Sequence, residues 1–147
     1  MDIRISRITT NHLYTEAIVT VGGKELSHTV EVSEGRLPDG IYATAMGLDH
    51  LGRHVIDLLY PAGGDVPPRP TGWHIGLGHS WISSEKHHTL CFGRPFFPGA
   101  VMEGEEDFDR LFERFRKSMS RNTPVIVEIT SKECRTERHP HFHWSCR

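Results

Sequence analysis

The 147-residue chain lacks any run of about 18 apolar residues, which excludes a membrane-spanning helix. Its opening, Met1-Asp2-Ile3-Arg4-Ile5, has no apolar core and no cleavage site, so no signal peptide is expected and synthesis is expected in the cytoplasm. Cysteines are few and odd in number: Cys91, Cys134 and Cys146. That argues against a disulfide framework, although Cys134 and Cys146 could pair in an oxidising setting. There is no excess of basic charge. Lys and Arg total 17 against 19 Asp and Glu, for a net charge of −2, so no nucleic-acid groove is expected. Also missing are Gly-x-Ser-x-Gly, a phosphate loop, a His-Glu-x-x-His zinc signature and a dinucleotide-binding Gly-x-Gly-x-x-Gly. Asp49, Asp57 and Asp65 are scattered and give no paired-carboxylate context.

What the chain does have is β pattern, glycine and proline punctuation, and eleven histidines. Ile3, Ile5 and Ile8, then Ala17, Val19 and Val21, recur with strand-like spacing over 3–10 and 14–21. Gly22-Gly23 is a hairpin turn signal, followed by a third strand through Leu26, His28, Val30 and Val32. Leu37-Pro38-Asp39-Gly40 is a second turn, leading into strands over 41–46 and 52–60. Four prolines and two glycines make 61–70 a loop. Short β-like runs at 72–77 and 89–92 follow, then a last strand over 124–130.

One helix is predicted, over 103–118. Phe108, Leu111, Phe112, Phe115 and Met119 form a single apolar stripe, with acidic residues in the first turn and Arg116 and Lys117 in the last. The stripe reads as packing against a sheet. The expectation is a mainly β fold of seven or eight strands, a sandwich or meander with one late helix. It is a single domain over 1–131, followed by a polar, His-rich tail over 132–147.

The stretch 71–95 concentrates the chemistry: His74, His79, His87, His88, Cys91 and the pair Ser83, Ser84. A histidine on one strand and a cysteine on the next are the minimum for a Cys/His nucleophilic site, since a thiol needs a base to become thiolate. Gly72 and Gly76 around His74, and Gly93 beyond Cys91, would let a substrate approach. The plainer alternative is a structural pair. His74, His79, His87 and Cys91 could instead supply zinc's nitrogen and sulfur ligands, but their spacing matches no zinc pattern, and solvated loop histidines serve equally well. His87 and His88 in an extended chain would face opposite sides. His139, His141 and His143 alternate, with Cys146 behind them, and are weak metal candidates beside the reading of a polar terminus.

Leu37-Pro38-Asp39-Gly40-Ile41-Tyr42 and Trp73-His74-Ile75-Gly76, with the order of elements around them, resemble the L,D-transpeptidase-like catalytic domain. The likeness is to its small phage and bacterial accessory members and covers about 3–130. The resemblance implies an L,D-transpeptidase-like β fold and a cysteine peptidase or transpeptidase acting on peptidoglycan stem peptides through a thioester, without a cofactor. It implies Cys91 as nucleophile and His74 as base, with backbone around Gly76, His88, Thr89 and Leu90 positioning the substrate and forming the oxyanion hole. Two departures accompany it. The family's glycine before the cysteine is Leu90 here, and a shifted register places Thr89 at the nucleophile's position, with Cys91 one pleat along on the same strand face.

The expected role is a phage lysis factor or a secreted antibacterial effector, delivered to the periplasm or cell wall by dedicated machinery and countered by an inhibitor or immunity protein. The alternatives are a catalytically inactive binding module on the same scaffold and a zinc-dependent hydrolase. Trp73, His79, Trp81, Ser83, Ser84, Phe96 and Phe97 are the candidate contact residues.

Overall fold

The computed structural model describes residues 1–135, with side chains through residue 132. Nine strands and two helices lie in this span. The first five strands are β1 (Asp2–Thr10), β2 (Tyr14–Val21), β3 (Lys24–Val32), β4 (Gly40–Leu48) and β5 (His54–Tyr60). They are followed by β6 (Arg69–Leu77), α1 (Trp81–His87), β7 (Thr89–Phe97), β8 (Ala100–Met102), α2 (Glu105–Ser120) and β9 (Ile126–Arg135).

The strands run in the order β3-β2-β1-β9-β4-β5-β6-β7-β8, and β3 pairs again with β7 through His28–Gly93, Thr29–Phe92 and Val30–Cys91. That second pairing joins the ends of the sheet. Eight strands form a closed barrel, and β8 is an extra strand on β7. The expected sandwich or meander is therefore corrected to a barrel, while the mainly β class holds. Closure removes the unpaired edges that a sandwich of these strands would expose.

Local chemistry explains the elements. Gly22 and Gly23, at φ +60 and +80, form the two-residue turn between β2 and β3, the geometry whose twist suits a hairpin. Strand alternation sends Ile3, Ile5, Ala17, Val19, Ile56, Leu58, Ile75, Leu90, Phe92, Val127 and Ile129 inward, where all are buried. The stripe of α2 (Phe108, Leu111, Phe112 and Phe115) belongs to this same core. The helix spans 105–120, close to the expected 103–118, with Glu105, Glu106 and Asp107 in its first turn.

The second helix was not anticipated. β6 and β7 are parallel, and parallel neighbours need a crossover rather than a tight turn. Residues 78–88, most of them (79–88) expected as a polar loop, supply it. Ser80 caps α1, its Oγ accepting from the Ile82 N–H at 3.2 Å. Ser84, fully buried, accepts from the Val32 N–H at 2.9 Å and ties the helix to β3. β9 runs from Ile126 to Arg135, past the expected end of the last strand at 130. His139, His141, His143 and Cys146 lie outside the described residues.

Candidate functional site

The register of three consecutive strands builds a row on the outer face of the barrel. Asp57 on β5 is the partner of His74 on β6, and His74 is the partner of Thr89 on β7. Beneath them, Ile56, Ile75 and Leu90 form the corresponding inward row and are at most 1% exposed. The outer row thus stands on a packed floor.

Thr89 Oγ1 lies 2.8 Å from His74 Nε2. The hydroxyl also sits 3.3 Å from the His87 carbonyl, to which it can donate. A hydroxyl has one proton, so two arrangements exist. With the proton directed to Nε2, the ring is a base and the hydroxyl is primed for attack. With the proton on the His87 carbonyl, Nε2–H donates to Thr89 and the pair is inert. The ring contact is the shorter one.

Burial pushes the His74 imidazole below the usual histidine range, partly offset by the carboxylates of Asp57 and Asp49 and reinforced by His87 and His50. The ring is therefore neutral at pH 7, the form that accepts a proton. Asp57 is shifted the opposite way, upward, chiefly because it is desolvated, with His74 lowering it in turn.

Cys91 occupies different surroundings. It lies one pleat beyond Thr89, opposite Gly76, and is fully buried beneath α1 in a small cluster with Val30, Val101, Tyr14 and Trp81. Its Sγ is 3.6 Å from the Ser80 carbonyl and 3.7 Å from the Thr89 carbonyl. No hydrogen bond joins it to His74 among the described residues. Desolvation, then the Glu31 charge, push the thiol up to about 12. At neutral pH roughly one such thiol in 100,000 would be ionised. Gly78 is where the sulfur finds its space, since a Cβ there would come within 2.4 Å of Sγ.

The other expected site residues disperse. Gly76 is buried against Val55, and Leu90 points into the core, so its side chain is structural. His88 is the left-handed C-cap of α1 and stacks on Trp73, their ring centroids 5.1 Å apart. His87 ends the helix and stacks on His50 at 3.7 Å, so the expected opposed pair in an extended chain does not occur. Trp73 is largely buried, Trp81 half-buried, and His79, Phe96 and Phe97 exposed. Ser83 is half-buried, and Ser84 is committed to Val32. His74, His79, His87 and Cys91 do not form one ligand set. Among the described residues, no group of three or more His, Cys, Asp or Glu could hold a metal ion.

Asp57 is the member of the row that the sequence reading set aside. Its signal is the alternation within β5 alone: Ile56 and Leu58 inward place Asp57 on the outer face. No family model matches the chain, and neither does any curated protein or solved structure. The fold and the site define a closed β-barrel protein carrying a carboxylate, an imidazole and a hydroxyl in line on its outer face.

Proposed function

We propose that this chain is an acyl-transfer enzyme directed at peptidoglycan stem peptides, with Thr89 as nucleophile and His74 as base. The carrying observation is the 2.8 Å contact between Thr89 Oγ1 and the neutral His74 ring. The substrate class comes from the resemblance of Leu37–Tyr42 and Trp73–Gly76 to the L,D-transpeptidase-like domain. The same resemblance, without the cysteine, favours a role at the cell wall in lysis or competition between cells.

In the first step Thr89 Oγ attacks an amide carbonyl carbon while its proton passes to His74 Nε2. The tetrahedral adduct collapses, the C–N bond breaks, and the leaving amine takes the proton from the ring. An ester on Thr89 remains. Water then attacks it, giving its proton to His74, and the ring returns a proton to Thr89 Oγ as the acid departs; an acceptor amine in place of water gives transfer.

The test is mass spectrometry of defined muropeptides incubated with the purified protein. Thr89→Val and His74→Ala should each lower turnover by about 100-fold or more, and Cys91→Ala should leave it within about twofold. Turnover that survives Thr89→Val but vanishes in Cys91→Ala would overturn the assignment.

A second reading, a binding module without turnover, is favoured by one observation. Thr89 is only 4% exposed and has the His87 carbonyl as an alternative acceptor. It predicts saturable muropeptide binding, followed by NMR, with no product and no dependence on the Thr89 hydroxyl.

A further inference from the structure

Among the described residues, Asp57 makes no hydrogen bond and no ion pair, although it is partly buried and pays for that with a raised proton affinity. A carboxylate withdrawn from water without a partner weakens the folded state, so its position calls for a reason beyond packing. The surroundings accommodate it. Gly47 lies against it on β4, and a Cβ there would come within 2.3 Å of Asp57 Oδ2, so any larger residue at 47 would expel the carboxylate from this place.

The charged and titratable groups around His74 come from four elements. They are Asp57 on β5, Asp49 and His50 in the turn after β4, and His87 at the end of α1, with the Thr89 hydroxyl on β7. Asp49 is already compensated, its Oδ2 accepting from Arg53 Nε at 2.8 Å. His50 and His87 are engaged with each other in a stack tilted by only 7°. Asp57 therefore supplies the one uncompensated negative charge in this set, and it stands directly across the strand pair from the ring.

We propose that Asp57 is a positioning residue for His74, its unpaired carboxylate holding the ring in the orientation that turns Nε2 to Thr89 and stabilising the imidazolium formed when Thr89 gives up its proton. The inference deepens the proposed function and rests on His74 acting as the base. It adds a third participant in line: carboxylate, imidazole, hydroxyl, on adjacent strands above a fixed apolar floor. Asp57 does not touch substrate; it acts through the ring. An approach of its carboxylate to the ring, directly or through one water, would tighten as positive charge develops on His74.

The experiment is an NMR titration of the His74 ring in the full chain, wild type against Asp57→Asn, paired with the pH profile of stem-peptide turnover. Asp57→Asn should lower the proton affinity of His74 at least about threefold, and Asp57→Glu should recover part of it. The acid limb of the turnover profile should move by the same factor, a change that a merely structural substitution would not produce. An unchanged His74 midpoint in Asp57→Asn, or a larger shift in Asp49→Asn, would overturn the proposal. Should Asp57→Asn fail to fold, the wild-type protein still reports: the His74 ring resonances should show a second inflection as the Asp57 carboxyl titrates, and a single inflection would overturn it. The ring titration needs no turnover. If Thr89→Val leaves turnover intact while the His74 midpoint still follows Asp57, the hydroxyl assignment fails while the electrostatic hold of Asp57 on the ring stands.

Discussion

One pleat of β7 separates two side chains with different surroundings. Thr89 meets an imidazole, and Cys91, two residues on, meets apolar side chains and two backbone carbonyls. Iodoacetamide at pH 7.5, followed by peptide mapping, should therefore leave Cys91 unlabelled in the native protein and label it fully after denaturation; rapid native labelling would contradict the buried site. His74 carries a pH signature. Its folded proton affinity is depressed below the unfolded value, so its contribution to stability is present above about pH 6.5 and is lost as pH falls through the lower folded value. His74→Gln should thus flatten the loss of stability in mildly acidic solution, measured by denaturant unfolding from pH 7 to pH 5. Of this site, His74 and the two candidate positions 89 and 91 were legible in the sequence. Which of them faces the ring was not, because both occupy the same face of one strand. Only the parallel pairing of His74 with Thr89 decides it, and that register is set by a crossover whose length has no periodic signature.

At the scale of elements, that crossover is where sequence reading and structure part. α1 spans 81–87, less than two turns, too short to display an apolar stripe, and its cap Ser80 sits among other serines and histidines. The long stripe of α2 and the Gly22-Gly23 hairpin were readable because each repeats or marks a geometry that few alternatives satisfy. β8, three residues after the turn that follows β7, gave no pattern at all. Short as it is, α1 seals Cys91, and Ser84 is its anchor. Ser84→Ala would leave the Val32 N–H buried and unpaired, costing about 1–3 kcal/mol. The melting temperature should fall by roughly 3 °C for each kcal/mol, and Cys91 should become alkylated faster under native conditions. A variant that melts lower yet still protects the thiol would separate the anchor from the seal. Closure into a barrel was likewise invisible, since the β3–β7 contact joins strands far apart in sequence through three paired positions.

Across the whole molecule, one interior charge pair stands out against the apolar lining. Arg7 and Glu31 are each 1% exposed and meet at 2.8 Å, and Arg7 also donates to the Leu37 carbonyl and to Asp39. This cluster links β1, β3 and the turn before β4, so it joins the two sides of the chain's second turn to the barrel wall. Removing the guanidinium takes from the buried Glu31 carboxylate the cation it meets at 2.8 Å. Arg7→Met alone should cost about 3–5 kcal/mol in urea unfolding, and the double substitution Arg7→Met/Glu31→Leu should recover much of it. Equal losses in the single and double variants would show that the guanidinium's backbone contact, rather than the ion pair, is what matters.

The place of β9 has a consequence for how the protein comes into being. This strand lies between β1 and β4, pairing in parallel with the former through most of its length and touching the latter at Gly40–Tyr42. The gap it fills is bounded by two strands made early, yet it is itself the last of the nine described strands to be synthesised. Until then the nascent wall has a slot in it between β1 and β4. Completion must therefore come as a late, long-range event rather than a progressive winding. Chains arrested before residue 126 should remain open to proteolysis, and the same fragments should become resistant when a peptide covering β9 is supplied in trans.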